Sequence, residues 1–192
     1  MAIRSAPSEA IGPRDLALCG VLGAMGLLLP LVGHALRSWP LLMPMHLPLM
    51  TLAFLARPIP AASTAAVVPL MSGLLTGMPP FYPPVAVFMC IELATMALLI
   101  SMIYIHLPAR RRTPIARTLI LASVMAIGRL VYVGLVYGFS LLIHLPAGLT
   151  AGLSFLSGWP GMVLMIVSIP AVVGIIERAR GNWRGIEPDD GP

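Results

Sequence analysis

Glu92 and Arg129 are ionisable residues that stand within long apolar stretches of this chain. Glu92 is the one formally charged residue between Pro58 and Ala109, and Arg129 interrupts the apolar stretch 115–140. An unpaired ion inside a lipid bilayer costs at least about 2.5 kcal/mol, so such residues usually pair with each other or mark a functional site. The two residues therefore predict an ion pair, formed either directly or through a bound ligand.

Aromatic and polar side chains share the helical faces of this pair. Tyr132 follows Arg129 by three residues. Phe88 and Thr95 lie on the stripe that carries Glu92. Residues three or four positions apart lie on the same face of a helix, so we expect Tyr132 to form an aromatic wall beside the charged groups.

Three more residues are candidates for binding a solute, and each has a purely structural alternative. Trp159 stands near the start of the last apolar stretch, where Trp is also common as a membrane anchor. Thr76 follows Ser72 by four residues, and hydroxyls at this spacing also bond the backbone of their own helix. His46 opens a short apolar stretch, where it is either a polar cap or a ligand contact.

Sequence signatures of catalysis, of metal binding and of nucleotide binding are absent. The four His residues are scattered, with no Cys or carboxylate three or four positions further on, so no metal site is expected. All twelve cationic side chains are arginine, which excludes both a P-loop lysine and a Schiff-base lysine. Because Gly-x-Ser-x-Gly and His-Glu-x-x-His are also missing, we predict no catalytic residue and no cofactor.

The composition is that of a membrane protein. The chain of 192 residues is 58% hydrophobic and 10% charged, with a mean hydropathy of +0.95. We therefore expect an all-α integral membrane protein in the cell membrane, surrounded by lipid. The net charge of +5 comes from arginines beside the apolar stretches, a pattern that serves topology, so nucleic-acid binding is not expected.

Six apolar stretches can be drawn, at 16–36, 45–56, 61–75, 84–105, 115–140 and 153–176. A simple span needs about 20 apolar residues. The second and third stretches are shorter and are separated by Arg57 and Pro58, so they form either one broken hairpin or two short spans. Six crossings place ten arginines on the inner side and only Arg37 on the outer side. The positive-inside rule therefore favours six transmembrane helices with both termini in the cytoplasm.

This topology defines the domains and the depth of the charged residues. Residues 1–13 are expected to form a cytoplasmic N-terminal segment, 14–178 the six-helix domain and 179–192 a cytoplasmic tail. Glu92 and Arg129 would each lie about ten residues, or about 15 Å, from the outer ends of the fourth and fifth helices. The two residues would thus lie at the same depth in the membrane. There they would have one of three roles: to fix helix packing, to help to hold a polar solute or to relay protons.

Small residues mark one face of the first apolar stretch. Gly20 and Ala24 are four positions apart, and so are Cys19 and Gly23. Such spacing allows close approach between helices in a membrane. The face packs either inside the same bundle or against another membrane protein.

The chain resembles the substrate-binding S-components of energy-coupling factor (ECF) transporters, the vitamin uptake systems of prokaryotes. Features shared with that family are the six stretches in about 190 residues, the small-residue first stretch and Met45-His-Leu-Pro48 at the start of the second. The most specific part is Leu74-Leu-Thr-Gly-Met-Pro-Pro80 followed by Met89-Cys-Ile-Glu-Leu-Ala94. The family more often shows two alanines where this chain has Gly20 and Ala24.

The resemblance implies a function and a set of partners. The later helices would form a solute site near the outer face, covered by the first outer loop. Gly20 and Ala24 would dock on a transmembrane coupling subunit, and two separate ATPase subunits would supply the energy. The binding protein would reorient in the membrane to release its solute inside the cell.

Our leading hypothesis is a solute-binding subunit for a small water-soluble vitamin or a related metabolite. Arg129 would engage an anionic group, and Glu92 would orient Arg129 or accept an N–H or O–H of the solute. Tyr132 and Trp159 would supply aromatic walls, while the loop from Trp39 to His46 closes over the solute. The alternatives are a membrane-embedded enzyme that uses Glu92 as acid or base, and a structural subunit in which the pair only specifies packing.

Overall fold

The computed structural model describes residues 11–35, 44–82, 84–143 and 159–184. These residues form helices and no β-strand, which confirms the all-α class. The helices are α1 (Pro13–Ala35), α2 (His46–Leu55), α3 (Pro58–Thr76), α4 (Val85–His106), α5 (Pro114–Leu142) and α6 (Trp159–Arg184), with a 3-10 turn at Ala109–Arg111.

Five of these helices are long and apolar enough to cross a membrane, namely α1, α3, α4, α5 and α6. Their outer surfaces carry large apolar side chains, such as Ile115, Leu75 and Leu142, which are 72%, 74% and 77% exposed. A surface of this kind is stable in lipid but not in water. The chain is therefore a multi-pass membrane protein.

Helix α2 is the centre of the bundle. It has only 10 residues, about 15 Å of helix, which is half the thickness of the hydrocarbon core. All of its residues except Leu47 are buried, and it packs against α1, α3, α4 and α6. Because protein surrounds α2, its short length exposes no backbone group directly to lipid.

The helix boundaries follow from local backbone chemistry. Pro58 and Pro114 begin α3 and α5, at the position where a missing N–H costs nothing. The hydroxyl of Thr113 accepts a hydrogen bond of 3.2 Å from the N–H of Ala116 and caps α5. Gly77 ends α3 with a φ of 74°, a left-handed conformation that glycine adopts without strain.

Arginine side chains gather at one end of the bundle, which we call the arginine-rich end; it carries Arg14, Arg57, Arg110, Arg111, Arg112, Arg117 and Arg178. Hydrogen bonds join the helix ends that meet there. The N–H of Arg57 donates to Asp15 (3.3 Å) and the hydroxyl of Ser101 donates to the carbonyl of Ala56 (2.7 Å). Successive helices therefore alternate in direction, and α1 begins at the end where α6 finishes.

Three helices extend beyond the apolar stretches that predicted them. Helix α3 begins at Pro58 rather than at 61 and has 19 residues, so it is long enough to span a membrane and is not the short segment that was expected. Helix α6 continues to Arg184, so the first part of the predicted tail 179–192 is helical. The segment Glu177-Arg-Ala-Arg180 consists of good helix formers, and it carries the helix beyond the apolar stretch that predicted its end. Helix α5 likewise continues to Leu142, which places Arg129 thirteen residues from its end rather than ten.

Candidate solute-binding site

Glu92 on α4 and Arg129 on α5 lie side by side inside the bundle. The two residues are only 4% and 5% exposed and are close enough to interact electrostatically. A Cβ atom on Gly128, the residue before Arg129, would lie 3.6 Å from Cγ of Glu92. Glu92 is seven residues from the start of α4, about 10 Å along the helix. The structure thus brings together the two ionisable residues that the apolar sequence had singled out.

Gly128 is what allows α4 and α5 to come so close at this level. A Cβ atom on Gly128 would lie 3.6 Å from Cγ of Glu92 and would overlap with the side chain of Met96. A larger residue would therefore require the side chain of Met96 or one of the two helices to move. Gly128 directly precedes Arg129, so this tight contact between the helices lies at the level of the two charged residues.

His46 joins the same cluster from α2. It is the first residue of that helix and is 4% exposed, and the charge of Arg129 also acts on its imidazole. Its Nδ1 atom is buried and has no hydrogen-bond partner among the residues that the structure describes. A buried polar atom without a partner costs about 1–3 kcal/mol, so this atom is suited to a bond with a bound molecule.

Aromatic rings line one side of the cluster. The guanidinium carbon of Arg129 lies 5.7 Å from the centre of the Tyr132 ring, within the range of a cation–π interaction. The ring of Phe88 meets those of Tyr132 and Phe139 edge to face, with centroids 6.4 Å and 5.7 Å apart. The wall therefore combines α4 with two turns of α5.

Phe139 and Gly128 were not identified from the sequence. Phe139 follows Tyr132 by seven residues, two helical turns, so extending the face of Arg129 further along α5 would have found it. The role of Gly128 depends on the position of Met96 across the helix interface. No pattern within α5 alone indicates it.

Thr76 is not part of the buried cluster. It is exposed at the end of α3, and its hydroxyl lies 2.8 Å from the carbonyl of Ser72 and 3.1 Å from that of Met78. It also accepts a hydrogen bond of 3.2 Å from the N–H of Met78. Thr76 thus holds the turn after α3, in line with the backbone-bonding alternative for this residue.

The structure does not describe the contribution of two predicted parts of the site. Helix α6 begins at Trp159, but the side chain of this residue is not described. The same holds for segment 36–43, which includes most of the loop that was expected to close over a solute.

The two small-residue faces of α1 have different surroundings. Gly23 packs inside, where a Cβ atom would lie 3.0 Å from Cγ2 of Thr64 on α3. Gly20 and Ala24 are exposed, and a Cβ atom on Gly20 would have nothing within 4 Å among the described residues. The face with Gly20 and Ala24 is therefore an open surface of the bundle.

The chemistry available at the cluster is recognition of an anion. A guanidinium group binds carboxylate or phosphate oxygens through two parallel hydrogen bonds. Glu92 can accept from an N–H or O–H group, and Nδ1 of His46 can donate or accept. In the described part of the chain, no group of three His, Cys, Asp or Glu side chains is placed to hold a metal ion.

Comparison with models of known protein families, with curated protein sequences and with solved structures finds no match for this chain.

Proposed function

We propose that this protein is a membrane-embedded solute-binding subunit that captures a small anionic, water-soluble metabolite such as a vitamin. The observation that carries the proposal is the buried cluster of Glu92, Arg129 and His46. Three ionisable side chains from three helices converge there inside an apolar bundle. One polar atom of the cluster, Nδ1 of His46, finds no protein partner in the described structure.

In the proposed complex each side chain has its own role. Arg129 binds a carboxylate or another anionic group of the solute, and Glu92 holds the guanidinium in position or accepts a donor of the solute. His46 completes the hydrogen bonds of the polar end. The rings of Tyr132 and Phe88 form the apolar wall that such pockets usually have. The 39–46 loop and Trp159 would close the site.

We further propose that the protein works as an ECF S-component in the cell membrane, with six transmembrane helices and cytoplasmic termini. Several features support this proposal. Arginines collect at one end, as the positive-inside rule requires of a cytoplasmic face. The first helix begins and the last helix ends on that side of the bundle. The open face of Gly20 and Ala24 is available for a coupling subunit, which two ATPase subunits would energise.

A second candidate function rests on the packing at Gly128. Its contact with Met96 and Glu92 would suit a structural subunit in which Glu92 and Arg129 only fix the position of α4 against α5. The two candidates differ in one respect. A packing pair needs no bound molecule, whereas a solute site does.

The experiment that tests the proposal is identification of the bound molecule. The full chain is purified from membranes in mild detergent, and small molecules are extracted and identified by mass spectrometry. We expect one anionic metabolite to accompany the wild-type protein and to be lost from Arg129→Ala. Arg110→Ala is the matched control, since Arg110 is exposed at the arginine-rich end, and it should retain the metabolite. Equal retention by Arg129→Ala would refute the assignment.

A further inference from the structure

A polar cavity lies at the arginine-rich end of the bundle, away from the cluster around Arg129. It has a volume of about 480 Å³, within the size range of small-molecule sites. On α4 it is lined by Ser101, Tyr104 and Ile105. Tyr104 is twelve residues beyond Glu92, so about 18 Å of helix separates this cavity from the cluster around Arg129. The two sites are therefore independent.

Chain segments that are far apart in sequence build this cavity. Arg14 and Asp15 come from the start of α1, Arg57 from the turn between α2 and α3, Arg112 from the linker before α5 and Glu177 from α6. A molecule bound there would contact most of the helix ends that meet at the arginine-rich end.

Both carboxylates of the lining are already neutralised by arginine. Asp15 lies 3.8 Å from Nε of Arg57. Glu177 forms an ion pair with Arg117 and accepts a hydrogen bond of 2.8 Å from the hydroxyl of Tyr104. That hydroxyl in turn accepts a hydrogen bond of 3.0 Å from Nε of Arg117. The two acidic side chains thus stabilise the lining of the cavity through Arg57 and Arg117. They do not neutralise the other arginines that line it.

Arg14 and Arg112 provide the excess positive charge. Neither forms an ion pair with a carboxylate in the described part of the chain. Arg112 is fixed in place: its Nε donates to the carbonyl of Leu107 (3.1 Å), and its guanidinium carbon lies 4.9 Å from the centre of the Tyr104 ring. A guanidinium that is held by packing binds an anion at a smaller entropic cost than a free one.

Apart from Ser101 and Tyr104, the rest of the lining is apolar. Phe54 and Leu55 at the end of α2 are buried, while Ile105 is 50% exposed on the outer surface of α4. The cavity thus places a polar lining beside an apolar outer surface of the protein. This matches a phospholipid at the point where its polar headgroup joins its apolar acyl chains. Basic pockets between membrane helices on the cytoplasmic side bind anionic headgroups in this way.

We propose that this cavity binds an anionic phosphate group through Arg14 and Arg112. The source of the group is either the headgroup of an anionic phospholipid or a free phosphate compound from the adjacent water. In both cases the phosphate oxygens accept hydrogen bonds from the two guanidinium groups. The bound group links the start of α1 to the segment between α4 and α5.

The test uses the full purified chain and native mass spectrometry. Protein in detergent is exposed to phosphatidylglycerol or to phosphatidylcholine, and the bound lipid is counted. We expect the wild-type protein to retain phosphatidylglycerol selectively. Each guanidinium is expected to make a charge-assisted hydrogen bond to the bound phosphate group, so Arg14→Gln and Arg112→Gln should each weaken retention by about tenfold.

Arg110→Gln and Arg111→Gln are the matched controls. They remove the same charge from exposed neighbouring positions that do not line the cavity, and retention should hardly change. Equal losses in all four variants would overturn the proposal, because general surface charge would then explain the binding. Equal retention of both lipids by the wild-type protein would overturn it too, unless inorganic phosphate binds as described next.

A parallel measurement distinguishes the two sources. Inorganic phosphate is titrated into lipid-free protein, and the shift in unfolding temperature is recorded for the wild type, Arg14→Gln and Arg111→Gln. If phosphate stabilises the wild type and Arg111→Gln but not Arg14→Gln, the site binds free phosphate compounds. Phosphatidylglycerol selectivity without stabilisation by phosphate assigns it to the lipid. If Arg112→Gln fails to fold, Arg14→Gln decides, since Arg14 is exposed in the first turn of α1.

Discussion

Arg129 holds its guanidinium carbon 5.7 Å from the centre of the Tyr132 ring, one helical turn further along α5. Glu92 on α4 and His46 on α2 are buried within electrostatic range of the same guanidinium. Arg129 therefore lies where three helices come together. Mutations of the residues around Arg129 can therefore test the role of each residue separately.

Gly128→Ala should destabilise the protein. The added methyl group overlaps with the side chain of Met96, and overpacking of this kind costs about 1–3 kcal/mol. The change in unfolding free energy is measured in detergent. Gly134→Ala is the control on the same helix, because a Cβ atom there meets nothing within 4 Å among the described residues; it should be neutral or slightly stabilising. In a Met96→Ala background, Gly128→Ala should cost less, and an unchanged cost would contradict this explanation.

His46→Leu should separate stability from binding. Because Nδ1 of His46 has no partner in the described structure, replacing the ring by an apolar side chain should leave the unfolding temperature unchanged or raise it. Retention of the co-purified solute should fall about tenfold, the effect of losing about 1.4 kcal/mol. Both quantities are measured on the same preparation. A variant that loses stability and keeps its solute would show that His46 is only a cap.

Tyr104→Phe should weaken the arginine-rich end without affecting the solute site. The variant loses the hydrogen bonds to Glu177 and from Arg117, which leaves buried Arg117 partly unsatisfied and costs about 1–3 kcal/mol. The edge-to-face contact with Phe54, at 5.1 Å, remains. Tyr137→Phe, at an exposed position of α5, is the control. Solute retention that changes in Tyr104→Phe would contradict the independence of the two sites.

Gly20→Leu should block assembly and leave the subunit folded. Gly20 lies on the open face of α1, so a large side chain costs little in the isolated protein but prevents close approach of a second helix. Co-purification of ATPase subunits from the native host reports on assembly. Val21→Leu, at the neighbouring exposed position, should assemble normally. Intact assembly by Gly20→Leu would show that the coupling subunit docks elsewhere.

The extent to which the sequence predicted this structure varies from one element to another. The break at Arg57 and Pro58, and the helical start at Pro114, follow from proline chemistry and lie close to the predicted boundaries. The proximity of Glu92 to Arg129 followed from the cost of burying charge. The helix boundaries depend on local sequence, and the pairing of charges depends on the apolar environment of a membrane. Both can be recognised from the amino-acid sequence of one chain.

What could not be predicted depends on contacts between distant segments. Arg117 and Glu177 are 60 positions apart, and only the packed bundle shows that they form a pair with Tyr104. Nor does the sequence distinguish the two small-residue faces of α1, since Gly20 and Gly23 look alike until the position of α3 is known. The cavity at the arginine-rich end has the same origin, because its lining comes from separate helix ends.

The central claim is that Glu92 and Arg129 hold a solute rather than only holding two helices together. The most direct measurement is the number of solute molecules per chain, by native mass spectrometry, in the wild type and in the charge-swapped variant Glu92→Arg/Arg129→Glu. The swap keeps one positive and one negative side chain at the α4–α5 interface but moves the guanidinium from α5 to α4. We predict close to one anionic solute per wild-type chain and none in a folded swapped variant. A folded wild-type protein that never carries a solute, or a swapped variant that carries as much as the wild type, would contradict the claim.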